Sequence, residues 1–537
     1  MTAQVSSHDG KSRRAASPPS PKAPTGQALV PPLAAVTITL FCIVILANSM
    51  IKDVGRDEQM YCTAGAMLAR GDLIYRDFSY PSQLPYHPLL LAALYRVLGT
   101  THYLLVGRLT SVLCDILAVI GIAGIYRSVF GAYRLQGLLF GVAAATLFLF
   151  NPLVDYALGY AWNHDVVILC VILSLWLFIT TDFQGKSRLW RVAATGVLLT
   201  VATFMRATTV LAELLFLAAV LWAAGGSVKN RILTALPFLA AALAVMVWPL
   251  WVIAQAPEAF RLNLIRIPTL YGRWLHEVGM TYGKLAMTFA SFSTAGYLIL
   301  LVLIGYLLWA GVRHRSGLDA QERRKAVVAA LLPILFFVIA YIPPTIWQQY
   351  LAIPVPFIVI GFAYPLAALR RGAEKPDGRG RYRLAAWLVG IGAIVAVLAS
   401  PLVLYRGLAV LVPENWTPIQ LHKNSQEIAA NIPEPRLVLT LGPLYALEGG
   451  CDIYSELSAG SIVYRIADRM SPEERQITHT LGPKTLNDLL AARPPAAVIA
   501  GVEPSYFSSL EDPLRQSAPP NWRRQTYGDR LQIYIRP

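Results

Sequence analysis

Charged residues stranded among long apolar stretches are where this chain could do chemistry. Asp57 and Glu58 lie in Val54-Gly-Arg-Asp-Glu-Gln-Met-Tyr61, directly after the first apolar block. A carboxylate at a membrane surface can accept a proton from a hydroxyl nucleophile. Two adjacent acids also suit the first turn of a helix, where the dipole favours negative charge. Asp165 closes Tyr160-Ala-Trp-Asn-His-Asp165, with Asp155 just upstream, and Arg206 sits between two apolar blocks with almost no loop. Ionised groups at membrane depth are costly, so they face a cavity or one another. Asp165 can also be read as a helix cap, a local role that Arg206 lacks. Arg261, Arg266 and Arg273 follow with Tyr271, Trp274 and His276. Guanidinium groups match phosphate oxygens in a fork, so a phosphate is the sharper partner and anionic lipid head groups the plainer one. His87, His164 and His276 are scattered, and no metal site is expected. Walker A, dinucleotide-type glycine, GxSxG and HExxH motifs do not occur, so neither nucleotide-fuelled pumping nor serine or zinc hydrolysis has support, and no cofactor is expected.

The elements that must position these residues are membrane helices. Of 537 residues 55% are hydrophobic and only 14% charged, about half the charge a soluble surface of this size carries, and the mean hydropathy is +0.51. Apolar blocks fall near 29–50, 102–126, 135–152, 164–181, 192–206, 208–225, 232–253, 291–312, 326–343, 349–370 and 384–405, each about the length that crosses a bilayer core. The net charge of +15 comes in short clusters between blocks, which is a topology signal and not a nucleic-acid surface. The N-terminal Lys11, Arg13, Arg14 and Lys22 and the gaps after every second block carry the cations: Arg127/Arg134, Lys186/Arg188/Arg191, Lys229/Arg231, Arg313 to Lys325, and Arg370 to Arg383. The positive-inside rule then predicts a cytoplasmic N-terminus and about eleven transmembrane helices. Residues 1–27, rich in Ser, Pro and Ala, read as a disordered cytoplasmic tail. Residues 28–405 read as the membrane domain, with outer loops 51–101 and 254–290. Residues 406–537 carry strand-like runs from Arg436, Ala496 and Leu531 and a helical stretch at 485–492, and read as a small α/β domain outside the cytoplasm. Cys62 and Cys451 fall outside the blocks, where a disulfide between them is conceivable. On this topology Asp57, Glu58, Asp165, Arg206 and the arginines of 254–290 share the outer face.

The order of these motifs resembles the lipid-donor glycosyltransferases of the GT-C superfamily. The nearest resemblance is to bacterial relatives of the protein O-mannosyltransferases and of aminoarabinose transferases. Carrying it are Asp57-Glu58-Gln-Met-Tyr61 after the first block, the downstream Gly71, Asp72, Pro81 and Pro85, Asp165 at the fourth block, Arg206 after Thr203-Phe-Met, and Tyr350-Leu-Ala-Ile-Pro354-Val-Pro356 entering a late helix. Gln348 and Gln349 depart from it, standing where relatives often carry a cation. The resemblance implies a multi-pass protein of a bacterial inner membrane that transfers a sugar from a polyprenyl-phosphate donor to an acceptor hydroxyl of a glycan, lipid or protein. It implies Asp57 as general base, Glu58 or Asp165 as positioning acids, and Arg206, Arg261, Arg266, Arg273 and Tyr350 around the departing phosphate. The alternatives are a flippase or exporter of an anionic lipid-linked substrate, and an assembly protein acting through its outer domain.

Overall fold

The computed structural model describes residues 30–281, 283–312, 318–343, 346–528 and 530–537. The expected tail at 1–27 and the cations Arg313 and Arg315 lie outside them. The chain divides into Met1–Cys42 and Ile43–Pro537. Helix α1 runs from Val30 to Met50. All the packing described below lies within the larger unit.

Two helices precede the next apolar block. They are α2 (Arg56–Arg70) and α3 (Tyr86–Leu98). There follow α4 (Tyr103–Phe130), α5 (Arg134–Leu149), the short α6 (Pro152–Ala157), α7 (His164–Thr180), α8 (Arg188–Thr203), α9 (Val210–Ala224) and α10 (Val228–Gln255). The second long loop forms α11 (Pro257–Arg261) and α12 (Ile267–Glu277), joined by a π-helical turn. Then come α13 (Lys284–Phe292), α14 (Ala295–Val312), α15 (Ala320–Tyr341), α16 (Pro354–Gly361), α17 (Ala363–Gly372), α18 (Pro376–Leu398) and α19 (Pro401–Ala409). Each of the apolar blocks is thus helical. Among the described residues, six helical segments are long and apolar enough to cross a membrane, or seven if the bent pair α13–α14 is one span. The protein is a polytopic helical membrane protein.

Packing sorts the helices by environment. Gly137 and Gly141 of α5 press against Tyr126 and Ala123 of α4, so closely that a Cβ at Gly137 would stand 2.8 Å from the Tyr126 carbonyl oxygen. The apolar run Tyr103–Leu149 is therefore an antiparallel hairpin. Leu109, Leu113, Leu117 and Ile120 form an exposed stripe on α4, a surface that lipid accepts and water does not. By contrast the apolar window within Gln348–Gly372 is 83% buried and runs through the middle of the bundle. At one end of the bundle Lys325 Nζ caps the Ile179 carbonyl at 2.6 Å, Arg371 pairs with Glu322 at 2.7 Å and Arg370 lies 3.8 Å over the Tyr133 ring. The starts of α4 and α7 and the end of α8 gather at the opposite end, against α2 and α3.

The C-terminal segment begins with α20 (Thr417–Ala429) and α21 (Pro443–Leu447) and builds a five-stranded sheet. Its strands are β1 (Leu437–Thr440), β2 (Asp452–Ile453), β3 (Ala497–Ala500), β4 (Arg523–Tyr527) and β5 (Leu531–Ile535). Their order is β2-β1-β3-β5-β4, with β1 parallel to both β2 and β3, and β5 antiparallel to β3 and β4. The α/β character and the strands near 437, 497 and 531 agree with the sequence. This segment rests on the helices near α2. Leu444 N–H donates to Gln59 at 3.0 Å, Leu104 N–H donates to Glu448 at 2.7 Å, and the His102 and His422 rings stack 3.4 Å apart. Cys62 and Cys451 are both free and buried.

Candidate active site

The Asp57-Glu58 pair is built by the start of α2. Gly55 takes the N-cap position, and its N–H donates to Glu58 Oε2 at 2.7 Å, so the second acid closes the first turn. Arg108, in the first turns of α4, donates from Nε to Glu58 Oε1 at 2.9 Å and from Nη2 to Oε2 at 2.8 Å, and Ala161 N–H donates to Oε1 at 2.6 Å. The same guanidinium donates to the carbonyls of Ser49, Lys52 and Asp53, each at 2.8 Å. Both partners are 0% exposed. Every strong donor around Glu58 is therefore fixed by structure. Glu58 holds the end of α1 and the starts of α2 and α4 in one arrangement, together with the loop before α7. That leaves no free oxygen for a substrate.

Asp57 is the opposite case. It is half-buried, and its carboxylate makes no hydrogen bond or ion pair among the described residues. Burial pushes its carboxyl above the ordinary carboxylate range, against the pull of nearby Arg56; Glu58 adds to the rise and Arg465 opposes it. A base must be ionised to act, so activity falls as pH drops through this raised value. Removing the largest downward influence moves the acidic limb further up. We therefore expect Arg56→Gln to shift the acidic limb of the kcat/KM profile to higher pH, measured across a pH series.

Around Asp57 stand Tyr61, Tyr271 and Tyr350, each within its electrostatic reach. Tyr61 is 3% exposed, with its ring edge-on to His87 at 5.0 Å and to Tyr80 at 6.0 Å. Arg206 enters from the other side. Helix α8 ends at Thr203 and the chain reverses; Thr200 and Thr203 both donate to Glu213 of α9 at 2.6 Å. Arg206 sits at that reversal, its guanidinium 4.9 Å over the Tyr350 ring and its Nη1 3.3 Å from His164 Nε2. It makes no ion pair with an acid among the described residues. A small cavity lined by Arg206, Thr208, Tyr350 and Phe336 opens beside it. Asp57 and Arg206, far apart in sequence, thus share two neighbours, Tyr61 and Tyr350, each within electrostatic reach of both.

Asp165 stands apart from this group. It is fully buried, accepts from Gly159 N–H at 3.2 Å, and has Asp115 and Lys52 as its charged neighbours behind Glu58. The arginines of the second loop also stay away. Arg261 is 61% exposed beside Glu258, Arg266 pairs with Glu474 at 2.9 Å, and Arg273 is exposed. The cause is amphipathicity: Ala259, Ile267, Leu270, Trp274 and Leu275 face a core with Tyr75, Phe78 and Tyr80 of the first loop, which turns the arginines outward. An arginine that does come within electrostatic reach of Asp57 is Arg465 of the C-terminal segment. It is 6% exposed, ion-paired to Glu503, within 3.4 Å of the Tyr271 hydroxyl and 4.5 Å over Phe507. Arg108 and Arg465 were not among the expected site residues. Arg108 carried a signal, as a cation inside an apolar block, whereas Arg465 lies in a soluble-looking stretch with nothing to distinguish it.

Known proteins with this architecture come from comparison of structures. No family model and no curated protein matches the chain. The structure of ArnT from Cupriavidus metallidurans bound to undecaprenyl phosphate superposes with a TM-score of 0.58 at 16% identity, covering 95% of this chain and 98% of that one. The apo form of the same protein gives 0.57 at 16% identity over the same shares. The oligosaccharyltransferase of Archaeoglobus fulgidus in its apo form gives 0.52 at 10% identity, over 88% of this chain and 70% of that one. The expected resemblance to GT-C lipid-donor glycosyltransferases therefore holds at the level of the fold, from the membrane helices into the C-terminal segment.

Proposed function

We propose that this chain is a membrane glycosyltransferase that moves a sugar from a polyprenyl-phosphate donor to an acceptor hydroxyl at the outer face of a bacterial inner membrane. The reading takes the eleven helical blocks as spans, residues 1–27 as cytoplasmic and residues 406–537 as extracytoplasmic. The observation that carries it is the contrast between neighbouring acids: Glu58 is consumed by Arg108, while Asp57 is left unpaired beside Tyr61 and Tyr350, the two tyrosines that also neighbour Arg206. A free carboxylate opposite a guanidinium that lacks an acidic partner is the charge pattern of base and leaving-group sites. The likeness of fold to a protein solved with undecaprenyl phosphate supports the same donor class here.

In this mechanism the acceptor hydroxyl gives its proton to Asp57 as its oxygen attacks the anomeric carbon. The bond from that carbon to the phosphate oxygen breaks, and the anomeric centre inverts. Arg206 neutralises the phosphate as it departs, with the Tyr350 hydroxyl as a further donor. Charge stabilisation and positioning are the main levers for such transfer. Glu58 acts through position, fixing the first turn of α2. Asp165 lies behind it and is read as structural support. Arg261, Arg266 and Arg273 are read as holding or flanking the second loop, outside the phosphate site.

The experiment is transfer and donor binding in reconstituted vesicles. Removing a charged hydrogen-bond partner costs about 1.5–3 kcal/mol, about ten- to a hundredfold in affinity. Arg206→Ala is expected to weaken binding of a short polyprenyl phosphate by about that factor and to depress transfer. Unchanged lipid-phosphate binding in Arg206→Ala contradicts the phosphate site.

A further inference from the structure

The C-terminal sheet brings a second cleft against the start of α2. In an open parallel sheet, ligands bind beyond the carboxyl ends of the strands, at the point where connections leave in opposite directions. That point here lies between β1 and β3, because the chain leaves β1 toward β2 on one side and reaches β3 on the other. Leu441 follows β1, and Val502 and Glu503 follow β3. Together with Ser461 they form one wall of a cleft whose opposite wall is Arg56 and Gln59 of α2. The cleft is open to solvent and has about 400 Å³ of empty space, solvent at its mouth included. Arg56 and Gln59 flank Asp57 in the same helical turn, and Arg465 joins the two places: it is paired with Glu503 and lies within electrostatic reach of Asp57.

The lining states what it would hold. Gln59 and Ser461 are 5% and 4% exposed. Gln59 spends its oxygen on Leu444 N–H, while its amide nitrogen and the Ser461 hydroxyl make no hydrogen bond among the described residues. Both can therefore bind a ligand in the cleft. The charged lining balances, Arg56 against Glu503, so the site selects neither an anion nor a cation. A balanced rim of donors and acceptors over an aliphatic floor of Leu441 and Val502 matches a neutral sugar, whose hydroxyls both donate and accept and whose C–H face is apolar. We propose that this cleft, formed jointly by the C-terminal segment and α2, is the acceptor subsite and takes a saccharide hydroxyl to Asp57. The proposal rests on the transferase reading above and assigns its acceptor class.

The test is saturation-transfer NMR on the full chain in detergent with a mixture of neutral methyl hexosides and pentosides, alongside binding of a short polyprenyl phosphate. Wild-type protein is expected to transfer saturation to at least one glycoside. Ser461→Trp, which fills the cleft, should abolish that signal and leave polyprenyl-phosphate binding within about twofold. Arg56→Ala, which removes a donor without filling space, should weaken glycoside binding at least about tenfold. Absence of glycoside binding in the wild type, or binding that survives both substitutions, overturns the acceptor subsite. Glycoside binding that behaves as expected in a chain that binds no polyprenyl phosphate sustains the saccharide cleft and instead refutes the donor reading.

Discussion

Asp57→Asn is expected to reduce sugar transfer by about 10²- to 10⁴-fold, the usual contribution of a positioned base. The substitution keeps size and shape and removes the proton acceptor. No partner is lost, because the Asp57 carboxylate makes no hydrogen bond or ion pair among the described residues. Stability should therefore hold or rise, since the buried charge at Asp57 is opposed by burial itself. Binding of polyprenyl phosphate should be retained, as Arg206 and Tyr350 are untouched. Paired measurements of transfer rate and thermal unfolding separate these effects. Retained transfer in Asp57→Asn would remove the base assignment, and a matching loss of stability would mark Asp57 as structural.

Arg108→Met should have the reverse signature. Arg108 and Glu58 are both fully buried, and Arg108 also satisfies three backbone carbonyls. Removing one member of a buried pair leaves the other uncompensated, at a cost of about 3–5 kcal/mol. The expected result is a large fall in thermal stability with loss of activity as a consequence. The double substitution Arg108→Met with Glu58→Gln should recover part of the stability, because no unpaired charge remains. Equal unfolding temperatures for wild type and Arg108→Met would contradict the anchoring role given to this pair.

The difference between these two acids marks what could be read from sequence. Apolar block length located the helices, cations and acids stranded at block ends identified Asp57 and Arg206 as candidates, and the family resemblance added Tyr350. Asp57 and Arg206 come to share the neighbours Tyr61 and Tyr350 because each sits where a helix begins or breaks. Which of Asp57 and Glu58 is free could not be read, since it depends on Arg108, 50 residues further along. The arginines of the second loop were legible as charges but not as a face. The apolar spacing of Ile267, Leu270 and Trp274 would have turned them outward had it been weighed against a helical period. In the C-terminal segment the buried strands at 437, 497 and 531 carried clear apolar runs. By contrast β4, Arg523–Tyr527, is polar and largely exposed at the sheet edge, and β2 spans only two residues. Neither gives a hydropathy signal, so the sheet order and the cleft at β1 and β3 were visible only in three dimensions.

The most direct measurement is mass spectrometry of envelope glycolipids, polysaccharides and glycoproteins from cells carrying the wild-type chain, lacking it, or carrying Asp57→Asn. The predicted result is one sugar mass missing from one envelope component both in the deletion and in Asp57→Asn. An envelope that loses the sugar in the deletion but keeps it in Asp57→Asn would contradict transfer by this chain and favour movement of a lipid-linked substrate.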